Sequence, residues 1–278
     1  MELTLYKREM KGSWKLLVIF GAVLTMYVAI IISMYEPDML KLLDSYAQAM
    51  PELMAAVGMT AGAADLLGFM ISYLYGFILL VFPMVFCILR ANGLVAKYVD
   101  RGSMACLLAA PVRRSAVALT QAAVLISGTV LLVGYVTGLE LAVCQSSFPG
   151  ELAAGELLAV NAGLLCLHLF IGGVCFLASC AFSDTKYSLA FGAGVPALMF
   201  LLQMLANAGD AAEKARWFTF FTLYDPKGLA AGEEQAVLFA GLLLAGAAAL
   251  ALFVWRQRRM DAPFLELGLL KIQEYRLA

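Results

Sequence analysis

Six runs of apolar residues, each near the length a helix needs to cross a bilayer, leave few folds open to this chain. A hydrocarbon core of about 30 Å takes about 20 residues of helix. Residues 15–34, 69–89, 116–139, 157–182, 189–206 and 236–255 each meet that length, and away from their ends they hold no Asp, Glu, Lys or Arg. Hydrophobic residues make up 63% of the chain and charged ones 14%, with a mean hydropathy of +0.88, a balance that would leave a water-soluble globule with large exposed apolar patches. The solvent is therefore lipid. In lipid every backbone polar group must be satisfied within its own segment, so the expected fold is an all-α integral membrane domain of six transmembrane helices over residues 1–278. The first run is too long for a cleaved leader and no small-x-small site follows it, so it reads as a retained anchor.

The basic residues are sorted by position. Lys7, Arg8, Lys11 and Lys15 precede the first window, Arg90, Lys97, Arg101, Arg113 and Arg114 lie between the second and third, Lys186 between the fourth and fifth, and Arg256, Arg258, Arg259, Lys271 and Arg276 after the sixth. The other connections hold Lys41, Lys214, Arg216 and Lys227. That asymmetry predicts both termini on the cytoplasmic side. With a net charge of −1 and no gathered basic patch, nothing points to nucleic acid.

Some connections carry patterns of their own. Leu3, Tyr6, Met10, Trp14 and Leu17 recur at helical spacing beside the row Lys7, Lys11 and Lys15, which describes a basic amino-terminal helix lying in the interface or, alternatively, a charged flank that only sets topology. Met39, Leu43, Tyr46, Met50 and Leu53 form a similar stripe in the first external loop, a short amphipathic helix that either roofs a path through the bundle or rests on lipid. Pro83 and Pro196 fall inside the second and fifth windows, where each removes a helical hydrogen bond and permits a kink, as a hinge or as a static packing feature. Gly134 with Gly138, and Gly172 with Gly173, allow close helix approach. Cys87, Cys166, Cys175 and Cys180 lie in apolar runs, Cys106 in a basic loop and Cys144 near the opposite side, so no intrachain disulfide is expected.

Catalytic groups are scarce. The chain contains no Gly-Lys dipeptide, which excludes a G-x-x-x-x-G-K-[ST] phosphate loop, so any energy from ATP has to come through a partner. Its single histidine, His168, lies midway along the fourth window, where it either lines a pathway or bonds one helix to another. Windows without internal carboxylates count against proton coupling, while sodium held by backbone carbonyls stays open. No metal or cofactor set stands out in the chain.

The loop after the second window reads Tyr98-Val-Asp-Arg-Gly-Ser-Met-Ala-Cys-Leu-Leu-Ala-Ala-Pro-Val-Arg-Arg114. With Asp100, Gly102, Ser103, Leu107, Leu108, Pro111 and Arg114 at matching places, it resembles the acid-x-Gly-[Ser/Thr]-x-x-x-Leu-Leu-x-x-Pro-x-x-Arg segment of ABC transporter permeases of the export-type (type 2) membrane-domain superfamily. The resemblance implies a cytoplasmic coupling helix within residues 94–108 that docks on a cytosolic ATPase subunit. Leu94, Tyr98, Met104, Leu107 and Leu108 would supply apolar contact and Lys97, Asp100 and Arg101 charge, with Gly102 also counted in the docking segment. The other reading is a basic loop that only enforces topology. A looser likeness runs over the whole chain, including the aromatic stretch from Phe218 to Asp225-Pro226 before the last window. The chain departs from the family in having Gln121 where a Lys often follows the loop arginine, and in its long tail after Arg259, where Phe264, Leu267, Leu270 and Tyr275 suggest a surface helix or partner contact.

The resemblance thus implies a permease subunit and not an enzyme, with ATP and Mg on two copies of a partner ATPase and with a second permease chain, alike or different, completing the path in the lipid of a bacterial plasma membrane. His168, Pro83 and Pro196 are its pathway or hinge candidates. The alternatives are an ATP-independent carrier or channel, and a membrane sensor or immunity scaffold.

Overall fold

In the computed structural model the chain is described over residues 2–59, 65–103, 114–182, 184–208 and 210–257, and these form helices joined by turns, with no strand among them. The helices are α1 (Leu3–Ser33), α2 (Pro37–Ala49), α3 (Pro51–Ala56), α4 (Leu66–Met70), α5 (Ile78–Leu94), α6 (Ala96–Asp100), α7 (Arg114–Ser147), α8 (Ala154–Ala181), α9 (Thr185–Ala208), α10 (Pro226–Ala231) and α11 (Glu234–Gln257). Among the described residues, six helices are long and apolar enough to cross a membrane: α1, α5 continued through α6, α7, α8, α9 and α11. We call the end where α1 begins and α11 ends basal, and the other distal.

Helix α8 is the hub. It packs against α5, α7, α9 and α11, while α1 lies on α7 and α5. Burial follows this order: in the most apolar stretch of each helix, 56% of α8 is buried but only 11% of α11. The exposed leucines of α11 face outward, as lipid permits. Its approach to α8 uses small residues, since a Cβ on Gly246 would come within 2.8 Å of the Phe170 ring and one on Gly173 within 3.2 Å of Leu250. Gly172 meets Leu125 of α7 in the same way. Gly134 and Gly138, read as a packing pair, instead face open space on the outside of α7.

The amino-terminal helix expected in the interface is not a separate element. It forms the first turns of α1, which runs unbroken for 31 residues, about 46 Å at 1.5 Å per residue and well beyond the hydrocarbon thickness. Lys7, Lys11 and Lys15 are exposed as their row requires, and the apolar row splits: Leu3 and Trp14 are 61% and 65% exposed, while Tyr6, Met10 and Leu17 are half-buried against the core. The buried row is Leu5, Glu9 and Ser13. Polar bonds then zip α1 to α7, from Glu2 N–H to Thr120 Oγ1 (2.8 Å), from Tyr6 OH to Ser127 Oγ (2.9 Å), and between the Thr25 and Tyr135 hydroxyls (2.7 Å).

The second apolar window is broken. Its distal part is α4, continued by a π-helical turn over Ile71–Tyr75, and after Gly76 and Phe77 the chain restarts as α5. At the break Gly76 lies against Gly58, which has φ +78° and whose Cβ, if present, would sit 2.8 Å from the Gly76 Cα. The amphipathic stripe after the first window becomes two helices, each begun by a proline at its first turn, and α3 packs on α9. Pro83 and Pro196 lie inside α5 and α9, as their windows imply. Among the described residues no disulfide joins Cys87, Cys144, Cys166, Cys175 and Cys180, and Cys144 is fully buried on α7.

Gly58→Ala adds a Cβ to backbone in the left-handed region and presses it on Gly76, so it should lower stability by about 1–3 kcal/mol in thermal unfolding of the detergent-solubilised protein. Gly138→Ala, with nothing within 4 Å of the added carbon, should stay within about 0.5 kcal/mol of the parent.

Candidate functional site: two buried polar clusters and a distal cleft

At the basal end the buried row of α1 meets the end of α5. Arg90 Nη2 donates to the Glu9 carbonyl (2.7 Å) and to Glu9 Oε2 (3.1 Å), while Tyr98 OH donates to Glu9 Oε1 (2.5 Å). Both charged side chains are nearly inaccessible. A buried ion pair offsets its desolvation only when further hydrogen bonds support it, and here the carbonyl and the phenol supply two, while Arg90 Nε is buried without a partner.

This cluster sits where α5 breaks into α6 at Val95, a break that strips carbonyls of their helical donors. Side chains from neighbouring helices fill the gap. Gln121 Nε2 donates to Leu94 O (2.6 Å), Ser179 Oγ donates to Ala91 O (2.9 Å), and Ala96 N–H donates to Ser179 Oγ (3.0 Å). The short helix α6 then stops at Gly102, in the left-handed region at φ +71°, with Gly102 N–H bonded to Val99 O and Ser103 Oγ donating to Tyr98 O.

Of the residues assigned to docking, Leu94 is completely buried and packs inside the bundle, Tyr98 turns toward Glu9, and Lys97, Asp100, Arg101 and Gly102 are exposed. Asp100 Oδ2 accepts from Thr185 Oγ1 (3.0 Å), which ties α6 to the start of α9. Met104, Leu107 and Leu108, together with Pro111 and the tail beyond residue 257, lie outside the described residues.

His168 is buried midway along α8. Its Nδ1 faces Leu164 O (2.8 Å) and its Nε2 faces Leu80 O (3.1 Å), close to the turn that Pro83 opens in α5. It therefore joins α8 to α5. It also edges an apolar groove of about 270 Å³ between α7, α8 and α11.

At the distal end lies a cleft of about 620 Å³, walled by α3, the π-turn, α9 and the segment preceding α11. Gln203, Asn207, Arg216, Tyr224, Asp225 and Lys227 give it a polar lining, and Phe200, Phe221 and Phe239 an apolar one. The Phe218–Pro226 stretch folds by local chemistry. Thr219 Oγ1 accepts from Phe221 N–H and donates to Met199 O (2.9 Å), and Asp225 caps α10 by accepting from Lys227 N–H and Gly228 N–H, with Pro226 at the first turn. Phe221 stacks edge-on against Phe200, which in turn meets Phe77 at the helix break. Burial, with the charge of Asp225 adding to it, holds the Tyr224 phenol well above its ordinary range, so it stays a neutral wall of the cleft.

Behind the cleft is a second cluster. Tyr75 OH donates to Glu140 Oε2 (2.8 Å), and Asn161 Nδ2 lies 2.9 Å from the same oxygen and 2.6 Å from the Tyr75 hydroxyl. Glu140 is fully buried, while Tyr75 lines the cleft. The expectation of spans without buried charge is corrected here: the third window stops at Leu139, whereas α7 runs on to Ser147 and carries Glu140 inward. Arg90 likewise stands one residue past the second window.

Comparison of the chain with protein families, with curated proteins and with solved structures finds no match in any of the three.

Arg90→Ala would leave Glu9 buried and unpaired, so it should cost about 3–5 kcal/mol in thermal unfolding of the solubilised protein. Glu9→Leu combined with Arg90→Met, which removes both charges at similar volume, should recover most of that loss.

Proposed function

We propose that this chain is the membrane-spanning permease subunit of an ATP-driven exporter, coupled through the segment after α5 to a separate ATPase. The observation that carries the reading is α6. It is a short helix set off from its span by a backbone break, clamped to α1 through Tyr98 and Glu9, tied to α9 through Asp100, and ended at Gly102 within the segment that resembles the ABC permease coupling loop. Such an element can act as a lever. A push on the exposed Lys97, Asp100 and Arg101 reaches α1, α5 and α9 through directional bonds, and rigid-body motion of packed helices is the usual route of alternating access. Two ATPase subunits and a second permease chain would complete the machine, with ATP and Mg on the ATPase, and the distal cleft is the proposed outward part of the path. The basal end is then cytoplasmic.

A second reading is a carrier that works without ATP. Glu140, buried behind the cleft, is the observation that favours it, because intramembrane carboxylates mark ion-coupled pathways.

The deciding experiment co-expresses the chain with a candidate ABC ATPase and measures ATP turnover in membranes. Leu107→Asp with Leu108→Asp should weaken ATPase binding by about 30-fold or more, the scale of a lost apolar anchor, and return turnover to that of the ATPase alone while membrane insertion is unchanged. Binding and stimulation that survive the change would sink the docking assignment. Transport by the purified chain in liposomes without ATP would promote the carrier.

A further inference from the structure

The distal cluster contains two oxygens without partners. Glu140 Oε1 and Asn161 Oδ1 are both buried and neither has a hydrogen-bond partner. Each is bonded to the same carbon as an atom of the 2.9 Å contact between Asn161 Nδ2 and Glu140 Oε2, so the carboxyl and the amide already meet along one edge. That leaves two buried acceptors, and a buried polar atom without a partner costs about 1–3 kcal/mol. A single proton removes both defects. Placed on Glu140 Oε1 it makes that atom a donor, and Asn161 Oδ1 is an acceptor without a partner on the side chain that the carboxyl already meets. Glu140 Oε2 keeps the Tyr75 hydroxyl as donor.

The surroundings fit a neutral acid. The titratable groups that act on Glu140 or feel its charge are Tyr75 on the π-turn, Tyr224 ahead of α10, and Cys144 one turn on along α7 itself. Helix α8 contributes Asn161, which does not titrate. Helices α1, α5 and α11 also pack on α7, and among the described residues they bring no charge to bear on Glu140. Tyr75 belongs to both places: its hydroxyl is on Glu140 and the residue, itself fully buried, is part of the cleft wall together with Tyr224. The π-turn that ends at Tyr75 and the break at Gly76 set this residue between carboxyl and cleft, and such irregular turns recur at functional sites.

From this geometry we infer that Glu140 is an exchangeable proton site of the distal cleft, occupied in the conformation described here and emptied when the cleft admits water. The step is a proton transfer alone. Hydronium in the cleft gives a proton to the carboxylate, an O–H bond forms on Glu140 as one breaks on hydronium, and a water molecule is left; release runs the same step backwards. This goes beyond the permease reading and stands without it, because the proton site is defined by Glu140, Asn161 and Tyr75 and not by any ATPase contact.

Infrared spectroscopy of the full-length protein in detergent tests it without knowledge of the substrate. At about pH 7, where solvated carboxyls are ionised, the protein should show a carboxylic-acid C=O band that shifts in deuterium oxide and fades as the pH is raised. Glu140→Gln should lose that band, and Asn161→Ala, which removes the acceptor, should move it to higher frequency. No acid band, a band that survives Glu140→Gln, or one that neither exchanges in deuterium oxide nor responds to pH would overturn the assignment. Should Glu140→Gln fail to fold, the displacement of the band in Asn161→Ala decides in its place: a shift supports the site and an unmoved band overturns it. Neither result depends on ATP turnover, so failure here leaves the coupling proposal standing, and the reverse.

Discussion

In a bundle with apolar outer faces a polar atom that turns inward is costly unless a protein group satisfies it, and the strongest partners here lie on neighbouring helices. That requirement, more than apolar packing, sets how these helices sit. Apolar contact in lipid is nearly indifferent to rotation and register, since a leucine facing lipid is almost as well solvated as one facing a leucine. Glu9 with Arg90, Gln121 with the Leu94 carbonyl, Ser179 with the end of α5, His168 with the Leu80 carbonyl, and Glu140 with Asn161 and Tyr75 are directional. They fix α1, α5, α7 and α8 against one another at both ends and in the middle.

The same bonds explain why the backbone can be irregular where it is. Three departures from the α-helix occur along one stretch of chain: the π-turn at Ile71–Tyr75, the restart after Gly76, and the break at Val95. At the basal break the freed carbonyls are held by side chains from α7 and α8. At the distal one the turn aims Tyr75 at Glu140, and the two glycines let the loop after α3 close on it. The second span is thus the element with the most mechanical freedom and also the one most tightly wired to its neighbours.

The spans were legible from composition, because a run of about 20 apolar residues has few other uses. Five of the six windows differ from the observed helices mainly at their ends. The polar clusters were not legible, for a physical reason: a hydropathy window is drawn to stop at a charge. It therefore placed Glu140 and Arg90 outside, in loops, when α7 extends past Leu139 and α5 past Leu89. Glu9 was hidden differently. The periodic apolar row of the amino-terminal segment suggested a helix lying in the interface, whereas a buried cation on α5 draws Glu9 inward and Leu3 and Trp14 stay exposed, since lipid accepts Trp and Leu and does not accept an unpaired arginine. The Asp225-Pro226 pair, striking the eye only as part of a family-like stretch, has a local meaning in capping α10.

Helix α11 shows what this division of labour means for biogenesis. It has the least buried apolar stretch of the six spans and rests mainly along α8 on a seam of small residues, with Gly246 and Gly173 at the closest points. Every buried polar pair named above joins residues that come before it in the chain. As the polypeptide leaves the ribosome, both clusters and the joint at Val95 can close while the last span is still being made. That span then docks on a finished surface by shape alone, so errors in its insertion would leave the wired interior intact.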